Sequence, residues 1–220
     1  MPQTLFITDA SAPLGRACAV RMGRAGWNLV LGGTSLSGLQ GVCAELPHSA
    51  TLPARCDPSD PANIVPVLAQ AEDRFGRVDA VLFNNRARRG GWQRTLNARV
   101  AALAQTADLC APLLERSGGQ LIVAGRRGGA RSLDTAMHTV ARDAVRTIVA
   151  ALDADWQAGA HSVSLVEPRE VESHRDMARR IARVLMGNSV PGEPVPAQST
   201  HAHPQGAHPE GAHLKGAATA

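Results

Sequence analysis

The stretch Thr4–Gly26, TLFITDASAPLGRACAVRMGRAG, decides the fold. It reads as a buried strand, a tight turn and a helix. Leu5, Phe6 and Ile7 form a short apolar run, the pattern of a parallel strand covered on both faces. The turn runs from Asp9 to Gly15. The helix after it carries Ala17, Ala19, Val20 and Met22 and ends near Gly23–Gly26. Free N–H groups at a helix start, behind a strand, favour anions. At the front of an alternating chain, this is where a dinucleotide pyrophosphate would sit. The turn keeps a single glycine, Gly15.

Outward from this unit, strand and helix patterns alternate. Trp27–Gly32 is a second strand, and Leu36, Leu39, Val42 and Leu46 mark a helix closed by Pro47. A third strand lies within Ala50–Cys56. Asp57–Pro61 is a turn and helix cap. The next helix carries Ile64, Val67, Leu68, Ala71 and Phe75 and stops at Gly76. Val78–Phe83 is a fourth strand, and Trp92 to about Arg116 is helical. Gln120–Ala124 is a fifth strand, followed by the polar loop Gly125–Arg131. A long helix is predicted over about 132–158, with Val140, Ala141, Ala144, Val145, Ile148 and Val149 on one broad face. Ser162–Val166 is a sixth strand, and Glu172–Met186 a last amphipathic helix. The alternation implies a doubly wound parallel sheet covered on both sides.

From Gly187 the pattern stops. Residues 187–220 are rich in Pro, Gly, Ala and His, and 202–216 repeat with period five. Such a tail is expected to be disordered, because it cannot bury enough apolar surface to offset its ordering entropy. His201, His203, His208 and His213 could capture a metal weakly, but nothing there fixes a site, so no metal is expected.

Composition narrows the chemistry. The 220 residues suit one domain with one good core, residues 1–186. Only 3% of residues are aromatic and none is tyrosine, so Ala, Val, Leu and Ile must build the core. The single lysine is Lys215, in the tail. The other basic groups are arginines, which keep their protons. A net charge of +4 permits anionic ligands, nucleotides or acyl-carrier partners, and is not a nucleic-acid signature. Cys18, Cys43, Cys56 and Cys110 show no close pairing and read as small core residues in a reducing compartment. No leader pattern opens the chain, and no apolar run approaches the ~20 residues of a membrane helix. A cytoplasmic protein without membrane contact is expected.

The order of these units, with several strings, resembles the short-chain dehydrogenase/reductase family over roughly residues 3–186. ITDASAPLGRA stands for the family's TGxxxGxG turn, RCDPSD for its strand-three Asp and LFNNRA for its NNAG. HTVARDAV aligns with YxASKAAV, and SVSLVEPREVES with a sixth strand followed by PGxVxT. The resemblance implies a Rossmann-like single domain and an oxidoreductase that moves hydride between NAD or NADP and a carbonyl or alcohol. It implies a tyrosine acid/base, an assisting lysine, a serine that orients the substrate and an asparagine that holds a water. It also implies assembly through the two long helices.

On the family's pattern, the tyrosine position falls on His138 and the lysine position on Arg142. Four residues apart, the two share one helix face. The asparagine position falls on Arg99, with Asn97 two residues out of register. The serine position falls on Gly125 or Arg126, and Ser132 has the wrong spacing to replace it. A histidine is a competent acid/base, but nearby arginines disfavour its charged form. Asp9 and Pro13 replace two family glycines, bringing a negative charge and removing an N–H. Gly15 still allows close approach of the helix. The resemblance assigns adenine contact to Asp57 and the adenosine channel to Asn84. Thr34-Ser35 does not select a 2′-phosphate, and Arg169 and Ser173 replace the Gly and Thr of PGxVxT. The substrate-covering insertion after Pro168 is nearly absent.

Three readings of function follow. The first is a catalytically degenerate member that binds, assembles or regulates, with weak or absent coenzyme binding. The second is a divergent NAD(P)-dependent reductase using His138 as proton donor and Arg142 on the ribose. The third is a non-catalytic subunit, pairing as a homo- or hetero-oligomer through the long helices. Arg86, Arg88, Arg89, Arg126, Arg127 and Arg131 lie on loops at strand C-termini. They read equally as a basic mouth for a phosphate or carboxylate and as a solvated rim.

Overall fold

The apolar runs become strands because each is covered from both sides. The computed structural model describes residues 1–85, 91–126 and 133–187. The expected disordered tail with its histidines, Arg86, Arg88, Arg89, Arg127, Arg131 and Ser132 lie outside the described residues. The strands are β1 (Thr4–Ile7), β2 (Asn28–Gly33), β3 (Thr51–Arg55), β4 (Ala80–Phe83), β5 (Gln120–Ala124) and β6 (Ser162–Val166). They form one parallel sheet in the order β3-β2-β1-β4-β5-β6. Among the described residues the chain is a single Rossmann-like α/β domain.

The helices are α1 (Pro13–Arg24), α2 (Leu36–Cys43), α3 (Pro61–Phe75), α4 (Trp92–Leu96), α5 (Ala102–Ser117), α6 (Leu133–Trp156) and α7 (His174–Leu185). Successive strand side chains point to opposite faces of the sheet. Leu5, Ile7, Leu29, Leu31 and Leu82 meet Met22 of α1 and Ile181 of α7 on one face. Phe6, Val30, Val81 and Val123 meet Ile64 of α3, Leu103 and Leu114 of α5 and Val145 of α6 on the other. Each fully buried aliphatic side chain contributes roughly 1.5–3 kcal/mol. The sheet is thus the middle of three layers. Ala141, Val145 and Val149 turn the apolar face of α6 into the core, while Val140 stays exposed.

Two helices differ from expectation. The pattern from Trp92 onward predicts one continuous helix, but a π-helical turn at Asn97–Ala101 separates α4 from α5. The Asn85 side-chain amide donates to the Ala98 carbonyl at 2.6 Å, satisfying a group at this wider turn. α7 begins at His174 and not at Glu172. Ser173 caps it by accepting from the Asp176 N–H at 3.2 Å, while Glu172 pairs with Arg180 inside the fold. No described helix is long and apolar enough to cross a membrane.

At the foot of the sheet, Asp79 is buried with Thr4. Its carboxylate accepts from the Thr4 N–H at 2.8 Å and from Arg77 Nε at 2.8 and 2.9 Å. Asp79→Ala leaves a buried donor unpaired and should cost about 2 kcal/mol, read from the midpoint of urea unfolding. Cys18, Cys56 and Cys110 are buried, and burial pushes each thiol up to about 12. Thiolate is the reactive form, so these three are unreactive near neutral pH. Cys43 is half-buried. Alkylation of the native protein, followed by peptide mapping, should mark Cys43 well before the other three.

Candidate ligand cleft

Between β1 and β4 the strand order reverses, and the loops at their C-terminal ends part there. A cleft of about 770 Å³ opens at this place. The turn after β1 supplies Asp9 and Ser11, the end of β2 supplies Thr34, and the end of β3 supplies Asp57. The opposite wall carries Asn85, Arg94, Asn97 and Arg126. One end is therefore acidic and the other basic.

Gly15 sets how closely α1 approaches the β1 turn. A Cβ on Gly15 would lie 2.1 Å from the Asp9 carbonyl oxygen, a backbone atom that cannot swing aside. Within the turn, the Ala10 N–H donates to the Gly32 carbonyl at 2.8 Å and the Ala12 N–H to the Asp9 carbonyl at 3.3 Å. Pro13, the first residue of α1, has no N–H. The turn thus keeps its close packing but presents a carboxylate and an imino acid where an anion cradle needs N–H donors.

Asn84 and Asp57 are held by neighbouring residues. The Asn84 N–H donates to Thr8 Oγ1 at 3.0 Å, and its side-chain amide donates to the Asp9 carbonyl at 3.3 Å. Asn84 is buried and ties the end of β4 to the β1 turn. Asp57 Oδ1 accepts from the Ser59 N–H at 3.0 Å, shaping the loop into α3 while the residue faces the cleft.

His138 and Arg142 lie one turn apart on α6, both half-buried, and neither is among the cleft's lining residues. Arg142 Nε lies 3.4 Å from Asp143 Oδ1. The serine position is equally constrained. A Cβ on Gly125 would meet Glu167 Cα and Cγ at 3.0 Å, so the close pass of β6 favours glycine there. Arg99, at the asparagine position, is buried in the π turn, whereas exposed Asn97 lines the cleft. Burial and the nearby Arg126 charge pull the Arg99 guanidinium down to about 10, which leaves it charged at neutral pH.

The link from β6 to α7, residues 167–173, is short and pinned. Arg180 Nη1 donates to Glu172 Oε2 and to the Glu167 carbonyl, each at 2.9 Å. Both partners of this ion pair are nearly buried. No long segment between β6 and α7 is available to cover the cleft.

Residues 3–183 match the family model for short chain dehydrogenase. The chain belongs to the short-chain dehydrogenase family. Solved structures carry the same fold. One is a metagenomic short-chain oxidoreductase in complex with NADP, 22% identical, with a TM-score of 0.75 over 83% of this chain and 90% of that one. Another is an alcohol dehydrogenase from the archaeon Thermococcus sibiricus complexed with 5-hydroxy-NADP, 19% identical, with a TM-score of 0.71 over 84% and 91%. A third is a 3-ketoacyl-ACP reductase from Sinorhizobium meliloti 1021, 19% identical, with a TM-score of 0.73 over 83% and 91%. At these identities the likeness concerns the fold alone. No curated protein matches the chain.

In this short-chain dehydrogenase chain, sequence reasoning assigned Gly15, Asp57 and Asn84 to the coenzyme; of the three, Asp57 is among the residues lining the cleft, and Gly15 and Asn84 are not. It missed Asn85, Arg94 and Asn97 as lining residues. Their signal was present only as polar residues flanking a helix start, and the π turn that aims Asn97 has no periodic signature. Asp9 is a carboxylate residue of the cleft lining at the β1 turn. Two like charges about 4 Å apart repel by roughly 1–4 kcal/mol between water and a partly buried site. Asp9→Asn should therefore bind ADP-ribose about tenfold more tightly than the parent, measured by calorimetry. Unchanged affinity would show that the carboxylate does not face that ligand.

Proposed function

We propose that this chain keeps the family's fold as a binding or regulatory module and does not carry out hydride transfer. The supporting observation is the β1 turn, where Asp9 lines the cleft and Pro13 starts α1 without an N–H. The adenosine end of an NAD(P) coenzyme suits Thr34 and Asp57 at the ends of β2 and β3. The pyrophosphate does not suit the carboxylate and proline between them. The nicotinamide end fares no better. The chain has no tyrosine, and His138 and Arg142 stand on α6 away from the lining of the cleft. The pinned link after β6 supplies no long segment to exclude water from the cleft, as hydride transfer requires.

What these residues do is hold a ligand. Asp57, held by Ser59, and Thr34 offer acceptors and a hydroxyl at one end. Asn85 and Asn97 flank the middle, and Arg94 and Arg126 offer positive charge at the other. Titration of the purified protein with NADH and NADPH, followed by fluorescence, should show no saturation in the micromolar range. Absorbance at the reduced-nicotinamide band should stay flat over a panel of ketones and aldehydes. Micromolar affinity with turnover would overturn the proposal in favour of a reductase using His138 and Arg142.

A further inference from the structure

α1 and α7 lie on the same face of the sheet, and between them runs a groove of about 1030 Å³. It shares no lining residue with the cleft. Its floor is apolar, made by Ala17 and Val20 of α1, Ala178 and Ala182 of α7, and Met186 just past the end of α7. Its rim is basic: Arg16, Arg21 and Arg24 on α1 and Arg175 and Arg179 on α7, all exposed. Among the described residues of the lining the one carboxylate is Glu45, which pairs with Arg16. Arg179 pairs with Asp176 on its own helix. Among the described residues no ion pair joins Arg21, Arg24 or Arg175. Arg21 and Arg24 stand in the last turn of α1, where the helix dipole favours a cation. Arg175 is the second residue of α7, where the dipole disfavours one, so helix electrostatics do not account for it.

We propose that the groove between α1 and α7 docks an acidic amphipathic helix of another protein. The surface lies apart from the cleft, so the inference does not depend on whether hydride is transferred. An apolar floor between two charged rims matches a helix that lays its apolar stripe into a groove and carries Asp and Glu beside it. The alanines of the floor let such a helix approach closely. α1 has 12 residues, which gives the groove a length of roughly 18 Å, about three turns of a docked helix. Other occupants fit less well. Residues 187–220 hold only Glu193 and Glu210 as carboxylates, too few to match the rim. A second copy would bring the same arginines against these across a two-fold contact. Single-stranded nucleic acid stacks on aromatic side chains, and no phenylalanine or tryptophan is among the described lining residues. A membrane surface would need large exposed apolar side chains, and in this lining Met186 alone is one.

Fluorescence anisotropy with labelled synthetic peptides and the full chain, at low ionic strength, tests the groove. The first peptide is a helix with a Leu stripe flanked by Glu. The second keeps the Glu residues and replaces the stripe with Gln, and the third keeps the stripe and replaces Glu with Lys. The first should bind saturably, and the other two at least about tenfold more weakly. Added salt should weaken the first, because rim charges in water are screened. The double variant Arg21→Glu with Arg175→Glu should keep the parent's Tm, since both side chains are exposed and unpaired, and bind the first peptide at least about tenfold more weakly. The milder pair Arg21→Gln with Arg175→Gln should fall between the two. Absence of saturable binding, or equal affinity in all variants, overturns the proposal. Equal affinity for the peptide without the stripe also overturns it, since the arginines would then be holding any polyanion. Tighter binding of a single-stranded oligonucleotide of equal charge, or of phosphatidylserine vesicles, overturns it in favour of that partner.

Discussion

The contact between Gly15 and the Asp9 carbonyl carries the architecture of the cleft. With no side chain at Gly15, the first turn of α1 rests directly on the backbone that leaves β1. Asn84 then ties that same Asp9 carbonyl to the end of β4, and the Asn84 N–H reaches Thr8. The crossing between β1 and β4 is thereby closed by hydrogen bonds on one side and by helix packing on the other. The cleft opens where it does because the strands on either side of this crossing lead their loops in opposite directions. Moving α1 outward would displace Asp9, Ser11 and the whole acidic end together.

The chemistry of the cleft is separated along its length. Carboxylates from the β1 turn and the β3 end share its lining with arginines from α4 and the β5 end. An open cleft weakens every one of these charges by hydration and salt, except where burial protects it. Arg99 is the buried one of the nearby arginines and lies behind the lining, in the π turn. The pinned link at Glu172 and Arg180 adds to this picture. A buried ion pair that holds a short connection in place opposes the closing motions that covered active sites need.

The two-sided burial of the sheet also explains why so few aromatic residues suffice. Each aliphatic strand residue meets a helix on its own face, so small side chains fill both layers. The cysteines belong to the same scheme: Cys18, Cys56 and Cys110 fill gaps in those layers as small apolar groups.

The sequence by itself determined the order and type of the elements. Runs such as Leu5–Ile7 and Ala80–Phe83 are legible because a parallel strand buried on both faces has to be apolar throughout. Helix starts at Pro61 and stops at Gly76 are legible because caps are local chemistry. The single glycine of the first turn, the missing tyrosine and the short link after Pro168 were equally open to reading. Tertiary structure alone decided which polar residues face each other. The π turn shifts the helical phase after only the short α4, too few residues to display it, so periodicity cannot tell that Asn97 would reach the cleft and Arg99 would be buried. The meeting of Arg99 with Arg126 joins segments that touch only after β4 and β5 pair, and the crowding at Gly125 exists only once β6 lies beside β5. Charge placement of that kind is a property of long-range packing, and no local pattern encodes it.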